Sequence, residues 1–323
     1  MRQVVLERPG QFIIRDVPPP EPGPGEALVR IRRVGVCGSD LHAFRNTHPA
    51  YSFPRVLGHE LGGDVVSING EHAGISAGDR CAIDAFLNCG TCRACRRGRR
   101  NCCESLQFYG IHVDGGMQEF MAVPVELLHA SARLTHDQLA LIEPLGVGAN
   151  GVRRGNVQPG DEVLVVGLGP IGLAAVQFAL DAGATVRAVE PLEWRRALVA
   201  RLGVEVMSEP DGRVADVVID ATGRRDVMER SVDHVAPGGR LVFLSVVPGR
   251  VSFDDWQFHR REMSILASRA SLDAFPDIIT RIEEGRIDTS LWITDRMALE
   301  EVPDRFEGLL TRANGMKVMV HLE

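Results

Sequence analysis

The hydrophobic pattern of the chain changes character near Pro159. Before it, short β-branched runs such as ALVRIRRV at 27–34 and GDVVSI at 63–68 sit between turn residues, as in an irregular all-β domain. After it, apolar runs of strand length alternate with longer helical stretches. Strands are predicted at 162–167, 185–190, 204–207, 214–221, 240–246 and 263–267, and helices at 172–182, 193–202 and 225–235. Such alternation predicts an α/β fold with a doubly wound parallel sheet covered on both faces. Residues 275–323 again mix a helix with short strands and are expected to rejoin the first domain. One connection is unusually short: seven residues separate Val206 from Val214, too few for the helix a parallel crossover normally contains. An extended link of that length spans at most about 25 Å.

The length of 323 residues suits two domains that need no disulfide staples. Hydrophobic content of 45% with 24% charged residues excludes disordered and fibrous classes. The longest uncharged run, 163–180, is broken by Gly167, Gly169, Pro170 and Gly172 and is too short to span a membrane. A formal charge of −7 argues against nucleic acid or anionic lipid as partners. All the basic residues except Lys317 are arginines. With no apolar signal core at the start, a cytoplasmic location is expected, so the seven cysteines read as metal ligands or reactive thiols rather than disulfides.

Strand, glycine motif and helix follow one another at VLVVGLGPIG, 163–172. In this Rossmann-type arrangement Gly167 permits the turn, Gly169 lets backbone approach a pyrophosphate, and Gly172 lets helix and strand pack closely; Pro170 and Ile171 open the helix that faces the phosphates. Glu190, 18 residues beyond Gly172, stands where a carboxylate accepts ribose hydroxyls and repels a 2′-phosphate, which predicts NAD as cofactor.

Two sets of metal-binding residues stand out. Cys89, Cys92, Cys95 and Cys103 form a local lobe, 86–106, suited to a closed tetrahedral structural zinc, with Cys102 competing for the fourth position. The arginines between them, Arg93, Arg96, Arg97, Arg99 and Arg100, lack interleaved aromatics and read as a solvated rim. The second set is dispersed: Cys37 and His42 in CGSDLH, His59 and Glu60 in GHE, and Glu143 in EPL. A thiolate, an imidazole and one or two carboxylates can hold zinc while leaving a position for substrate.

In their order these motifs resemble the zinc-dependent medium-chain dehydrogenase/reductase family over essentially the whole chain. The matching stretches are CGSDLH at 37–42, GHE at 58–60, the cysteine lobe, DGGMQEF at 114–120, EPL at 143–145, the glycine motif and DVVIDATG at 216–223. GHE and EPL resemble the polyol, threonine and sugar-acid branch, and CGSDLHAFR at 37–45 looks most like enzymes oxidising hexonates.

The resemblance implies a GroES-like distorted β-barrel catalytic domain at 1–146, a Rossmann domain at 147–269, a C-terminal return at 270–323 and a catalytic cleft where the two domains meet. It implies Cys37, His59 and Glu143 as catalytic zinc ligands, directly or through water, with Glu60 a ligand or an exchanging neighbour and Asp40 orienting His59. Ser39 and His42 fall at the proton relay, Arg195 near the adenosine ribose and Lys317 on the cofactor pyrophosphate. Departures are the missing helix before Val214, Glu190 where Asp is usual, and Cys102.

The implied activity is oxidation of a polar secondary alcohol, a polyol or a sugar acid such as a hexonate, to a ketone with NAD and two zinc ions per chain. The enzyme is expected to be a homodimer or homotetramer. Threonine, butanediol or aminocyclitol dehydrogenases of the same family are the alternatives within this class. The alternative from another class is a non-enzymatic regulatory protein binding NAD and zinc, for which the relay residues Ser39 and His42 would have no use. The substrate is expected to be polar because Arg45, Asn46, Tyr51 and His112 lie beside the metal motifs, with Arg45 and then Arg269 as candidates for a substrate carboxylate.

Overall fold

Strand Glu26–Val36 buries Ala27, Val29, Ile31 and Val34 in alternation with less buried positions, and both of its edges find partners. Glu60–Ile68 pairs antiparallel on one side, with Glu60 opposite Gly35. Lys317–His321 pairs antiparallel on the other, with Val318 opposite Val36, and Phe120–Pro124 pairs with the opening half of the strand. Arg80–Ile83, Leu128–Ala130 and Ile293–Ala298 complete this seven-stranded sheet. A second sheet is built from Gln11–Asp16, Arg2–Arg8 and Arg55–Val56. Leu6, Val29, Ile31, Leu57, Leu61 and Phe306 belong to the core they share. The structure is a computed structural model and describes residues 1–70, 72, 74–309 and 315–323.

This first unit comprises 1–143, 275–284 and 289–323. The second comprises 144–274 and 285–288. Residues Gly285–Asp288 thus belong to the second unit, an excursion that the sequence pattern does not signal. The Gln177 side chain holds this excursion, donating to the Asp288 carbonyl at 3.0 Å and accepting from its N–H at 2.7 Å.

The second unit carries six parallel strands in the order Glu205–Met207, Thr185–Val189, Glu162–Val166, Ala215–Asp220, Val235–Phe243 and Ser264–Ala267. Relative to the chain this is the doubly wound order 3-2-1-4-5-6. Val163, Leu164, Val165, Val217, Val218 and Ile219 are all buried, as expected of strands covered on both faces.

The short connection contains no helix: residues 208–214 are bends and irregular backbone. Arg187, on the strand Thr185–Val189 and buried, anchors them, pairing with Asp211 at 3.2 Å and donating to the Val214 carbonyl at 3.0 Å. Among the described residues no helix is long and apolar enough to cross a membrane.

Candidate active site and metal centres

The dispersed donor set is assembled by the pairing of two strands. Cys37 follows the end of Glu26–Val36, and His59 and Glu60 enter the strand beside it, so the register that sets Gly35 opposite Glu60 brings them together. One ligand atom each from Cys37, His59 and Glu60 lies within 4.8 Å of the others. Gly35 is required here, because a Cβ on it would stand 2.0 Å from Glu60 Oε2. Glu143, in the first turn of helix Ile142–Arg154, is buried beside this cluster but outside it. Burial lifts its pKa to about 7, with His59 pulling it down and Glu60 pushing it up.

The Lys317 ammonium reaches Glu60 Oε1 at 2.6 Å and the Val36 carbonyl at 3.2 Å, and both side chains are almost fully buried. Where the sequence placed Lys317 on the cofactor pyrophosphate, two of its three ammonium donors are engaged here by the Glu60 carboxylate and the Val36 carbonyl. Glu60 Oε2, by contrast, is buried with no hydrogen-bond partner among the described residues.

Asp40 Oδ2 accepts from the Cys37 N–H at 2.8 Å, while Oδ1 faces His59 Nδ1 at 3.9 Å, beyond hydrogen-bond reach. Asp40 therefore acts on the imidazole through its field rather than through a hydrogen bond. The Nδ1 of His59 is the ring nitrogen turned to Asp40. Burial pushes His59 and Lys317 toward neutrality, but Cys37 and the surrounding carboxylates outweigh it and raise both pKa values, that of His59 well above the usual imidazole range. A pocket of anionic donors that draws protons onto its bases, and leaves one carboxylate oxygen unpartnered, suits a divalent cation.

Ser39 Oγ is also buried and unpartnered, whereas His42 is exposed and places Nδ1 2.8 Å from Thr47 Oγ1. One hydroxyl inside and one imidazole outside are the ends a proton path to solvent needs. Arg45, Asn46 and Arg269 are exposed; His112 is half-buried and accepts from the Phe108 N–H at 3.2 Å.

The cysteine lobe is built differently. Ligand atoms of Cys89, Cys92, Cys95 and Cys103 cluster within 4.8 Å, whereas Cys102 is exposed and outside the cluster. Backbone N–H groups point at the sulfurs: Cys92 N–H at Cys89 Sγ, 3.3 Å, Cys95 N–H at Cys92 Sγ, 3.5 Å, and Cys89 N–H at Cys103 Sγ, 3.3 Å. Hydrogen bonds from the N–H groups of Thr91 and Cys92 hold the Cys89 thiol down at about 5, favouring the thiolate a metal needs. Arg100 does not belong to a solvated rim, since it pairs with the fully buried Asp84, whose other oxygen accepts from the Phe86 N–H at 3.1 Å. Sequence spacing carried no sign of this anchor.

In the second unit, Gly167 adopts φ +87°, and a Cβ on Gly172 would stand 1.8 Å from the Gly167 carbonyl oxygen. A Cβ on Gly169 would meet nothing within 4 Å, so that backbone faces open space before helix Pro170–Asp181. Pro170 takes the first helical position, with Ile171 behind it. Glu190 is buried, its carboxylate fixed by the N–H groups of Leu168 at 2.8 Å and Leu192 at 3.0 Å, which leaves acceptor capacity for ribose hydroxyls. Arg195 lies 3.5 Å from the same carboxylate and stacks over Trp194. The open glycine cradle and the fixed acid fit a dinucleotide.

Comparison with known proteins gives the same architecture. Residues 23–133 match the alcohol dehydrogenase GroES-like domain and residues 170–284 the zinc-binding dehydrogenase domain. The chain is 34% identical over 321 residues to L-galactonate-5-dehydrogenase of Escherichia coli K12, covering 95% of this chain and 94% of that protein. A zinc-binding dehydrogenase of Sinorhizobium meliloti 1021, solved with NADP, superposes with a TM-score of 0.93 at 31% identity over 99% of both chains. RspB of Escherichia coli CFT073, an alcohol dehydrogenase solved with NADH, superposes with a TM-score of 0.93 at 27% identity, covering 100% of this chain and 99% of that one. A cysteine lobe, a buried thiolate–imidazole–carboxylate set and a dinucleotide cradle, borne on a chain this close to its relatives, make the protein a member of the zinc-dependent medium-chain alcohol dehydrogenase family.

Proposed function

We propose that the chain oxidises the secondary hydroxyl of a polyol or sugar acid, a hexonate foremost, to a ketone with NAD. The observation that carries the reading is the buried Cys37–His59–Glu60 set, whose carboxylate keeps one oxygen unpartnered while Lys317 holds the other. One thiolate with carboxylate oxygens is a harder donor set than two thiolates and suits substrates that bring several oxygens. Similarity to a galactonate dehydrogenase supports the same class.

Cys37 and His59 hold the catalytic zinc with Glu60 or Glu143, and Cys89, Cys92, Cys95 and Cys103 hold the structural one. When bound, zinc acidifies an alcohol ligated to it and the nicotinamide accepts hydride from its carbon. Ser39 receives the hydroxyl proton inside the pocket and His42 passes it to solvent. Asp40 orients His59, so that Nε2 would serve as the zinc donor, and Lys317 fixes Glu60 by one oxygen, so that the other would be available to a zinc there. Gly167, Gly169, Pro170, Ile171 and Gly172 form the phosphate cradle. Glu190 receives the ribose hydroxyls and disfavours NADP, with Arg195 packed alongside.

The enzyme acts in the cytoplasm, where metal-binding thiols stay reduced. It assembles as a homodimer or homotetramer, a reading supported by the unpaired outer edge of strand Ser264–Ala267 and by the exposed Trp256 and Val246; light scattering tests it.

The deciding measurement is kcat/KM across hexonates, hexitols, cyclitols, threonine and n-alkanols with NAD and with NADP. Highest efficiency for a hexonate or polyol with NAD is expected. Highest efficiency for an n-alkanol overturns the substrate class, and equal use of NADP overturns the role of Glu190.

A further inference from the structure

Of the polar side chains beside the metal motifs, Tyr51 is the one turned inward. It lies in the loop after helix Gly38–Phe44, is 9% exposed, and its hydroxyl is buried without a partner in hydrogen-bond geometry among the described residues. Ser39 Oγ, its neighbour at the Cys37–Asp40 turn, lies close enough to pull the phenol's pKa down, yet among the described residues neither hydroxyl finds a partner in full hydrogen-bond geometry, so two buried hydroxyls stand side by side next to the metal set. The next ring offers no acceptor. His48 stands edge-on to Tyr51 with centroids 5.3 Å apart, and its Nδ1 already accepts from the Ala50 N–H at 3.2 Å. Burial first, and then the field of Asp40, pushes the phenol far above its usual range, so Tyr51 is an O–H donor throughout the working pH.

A buried hydroxyl without a partner is costly, and phenylalanine would fill the same volume without that cost. The oxygen therefore has a use only when something polar enters the corner. Ser39 is two residues from the metal-binding Cys37 and serves the reacting hydroxyl, so an oxygen reaching Tyr51 belongs to the neighbouring part of the substrate.

We propose that Tyr51 determines specificity by donating a hydrogen bond to a substrate hydroxyl on the carbon next to the one oxidised, making the pocket select vicinal diols over simple secondary alcohols. The inference rests on the reading of the substrate as polyhydroxylated, and it adds the residue that reads the second hydroxyl.

Butane-2,3-diol and butan-2-ol share a carbon skeleton and differ by that one hydroxyl. With zinc-replete enzyme and NAD, the wild type is expected to favour the diol. Tyr51→Phe is expected to lower kcat/KM for the diol about tenfold, the worth of one hydrogen bond, and to leave butan-2-ol nearly unchanged. Calorimetric binding of the diol to enzyme loaded with zinc and NADH should weaken by a similar factor. Zinc content should stay the same and the melting temperature should not fall, because the variant removes an unpartnered donor. Equal losses on both alcohols, or a lowered melting temperature with loss on both, assign Tyr51 to packing and overturn the proposal. If the wild type oxidises diols and hexonates and Tyr51→Phe does so equally well, this inference alone falls. If the wild type oxidises only alkanols, the functional reading falls and takes this inference with it.

Discussion

The two metal-donor sets solve the same problem, gathering charged ligands around one point, in opposite ways. The lobe draws its four thiols from 89–103 and stabilises them locally, with backbone N–H groups aimed at the sulfurs and an anchor in Arg100 on Asp84. The dispersed set draws Cys37, His59 and Glu60 from two strands joined by register and offsets its buried charge with a lysine from a third strand, nearly the whole chain away in sequence. A local set can lose its metal with little effect on the rest of the fold. A set built on register is tied to the sheet itself, so disturbing its charges disturbs both chemistry and stability.

The largest effect should come from Cys37→Ser or His59→Ala. Turnover is expected to fall by roughly three orders of magnitude or more while the lobe keeps its metal, so metal analysis should read one zinc per chain against two in the wild type. Loss of both ions would show that the sets are not separable. Lys317→Ala comes next, because it leaves Glu60 as an uncompensated buried charge. A destabilisation of about 3 kcal/mol is expected by denaturant unfolding. Weaker retention of the catalytic zinc against a chelator should accompany it, with KM for the alcohol changing more than KM for the cofactor. The opposite ranking of the two KM values would return Lys317 to the pyrophosphate.

Cys92→Ser should release the lobe zinc and lower the melting temperature by roughly 5 °C, with kcat per catalytic zinc largely preserved. A loss of kcat as large as that of Cys37→Ser would erase the contrast between the sets. The smallest effect comes from an ordinary ion network that belongs to neither set. Asp137 is partly buried, which alone would raise its pKa, but Arg296 and Arg33 hold it below the usual carboxylate range. Its contribution is therefore present above about pH 4 and fades as the pH falls through the depressed value. Asp137→Asn should cost about 1 kcal/mol at pH 7, and the difference from wild type should close in acid.

The sequence made the lobe legible because its ligands are neighbours, and the glycine motif because strand, turn and helix are contiguous. Strands expected at 162–167 and 185–190 are found at Glu162–Val166 and Thr185–Val189. The strand expected at 240–246 instead runs Val235–Phe243, because the sheet takes in the turn-like Pro237-Gly238-Gly239 as an irregularity between the Ala215–Val235 and Val217–Arg240 pairings. The helix expected at 225–235 yields its last turn to this change, ending at Arg230 before a short 3₁₀ segment. The pairing of Lys317 with Glu60 was not legible, since it depends on which strand joins the central one and in which register. Its only trace was a lone lysine in a chain that otherwise uses arginine. The unpartnered hydroxyl of Tyr51 likewise emerges only when the loop is folded inward.

Arg187 has a consequence beyond sheet topology. Where a crossover helix would fasten the outer strand Glu205–Met207 by apolar packing, this chain fastens the returning segment with one guanidinium gripping Asp211 and the Val214 carbonyl. The cohesion of that margin therefore depends on one buried guanidinium more than on hydrophobic area, and burial keeps salt from screening it. Amide exchange at 205–214 should quicken in Arg187→Ala while the central strands stay protected, giving the sheet one margin that opens independently of its middle.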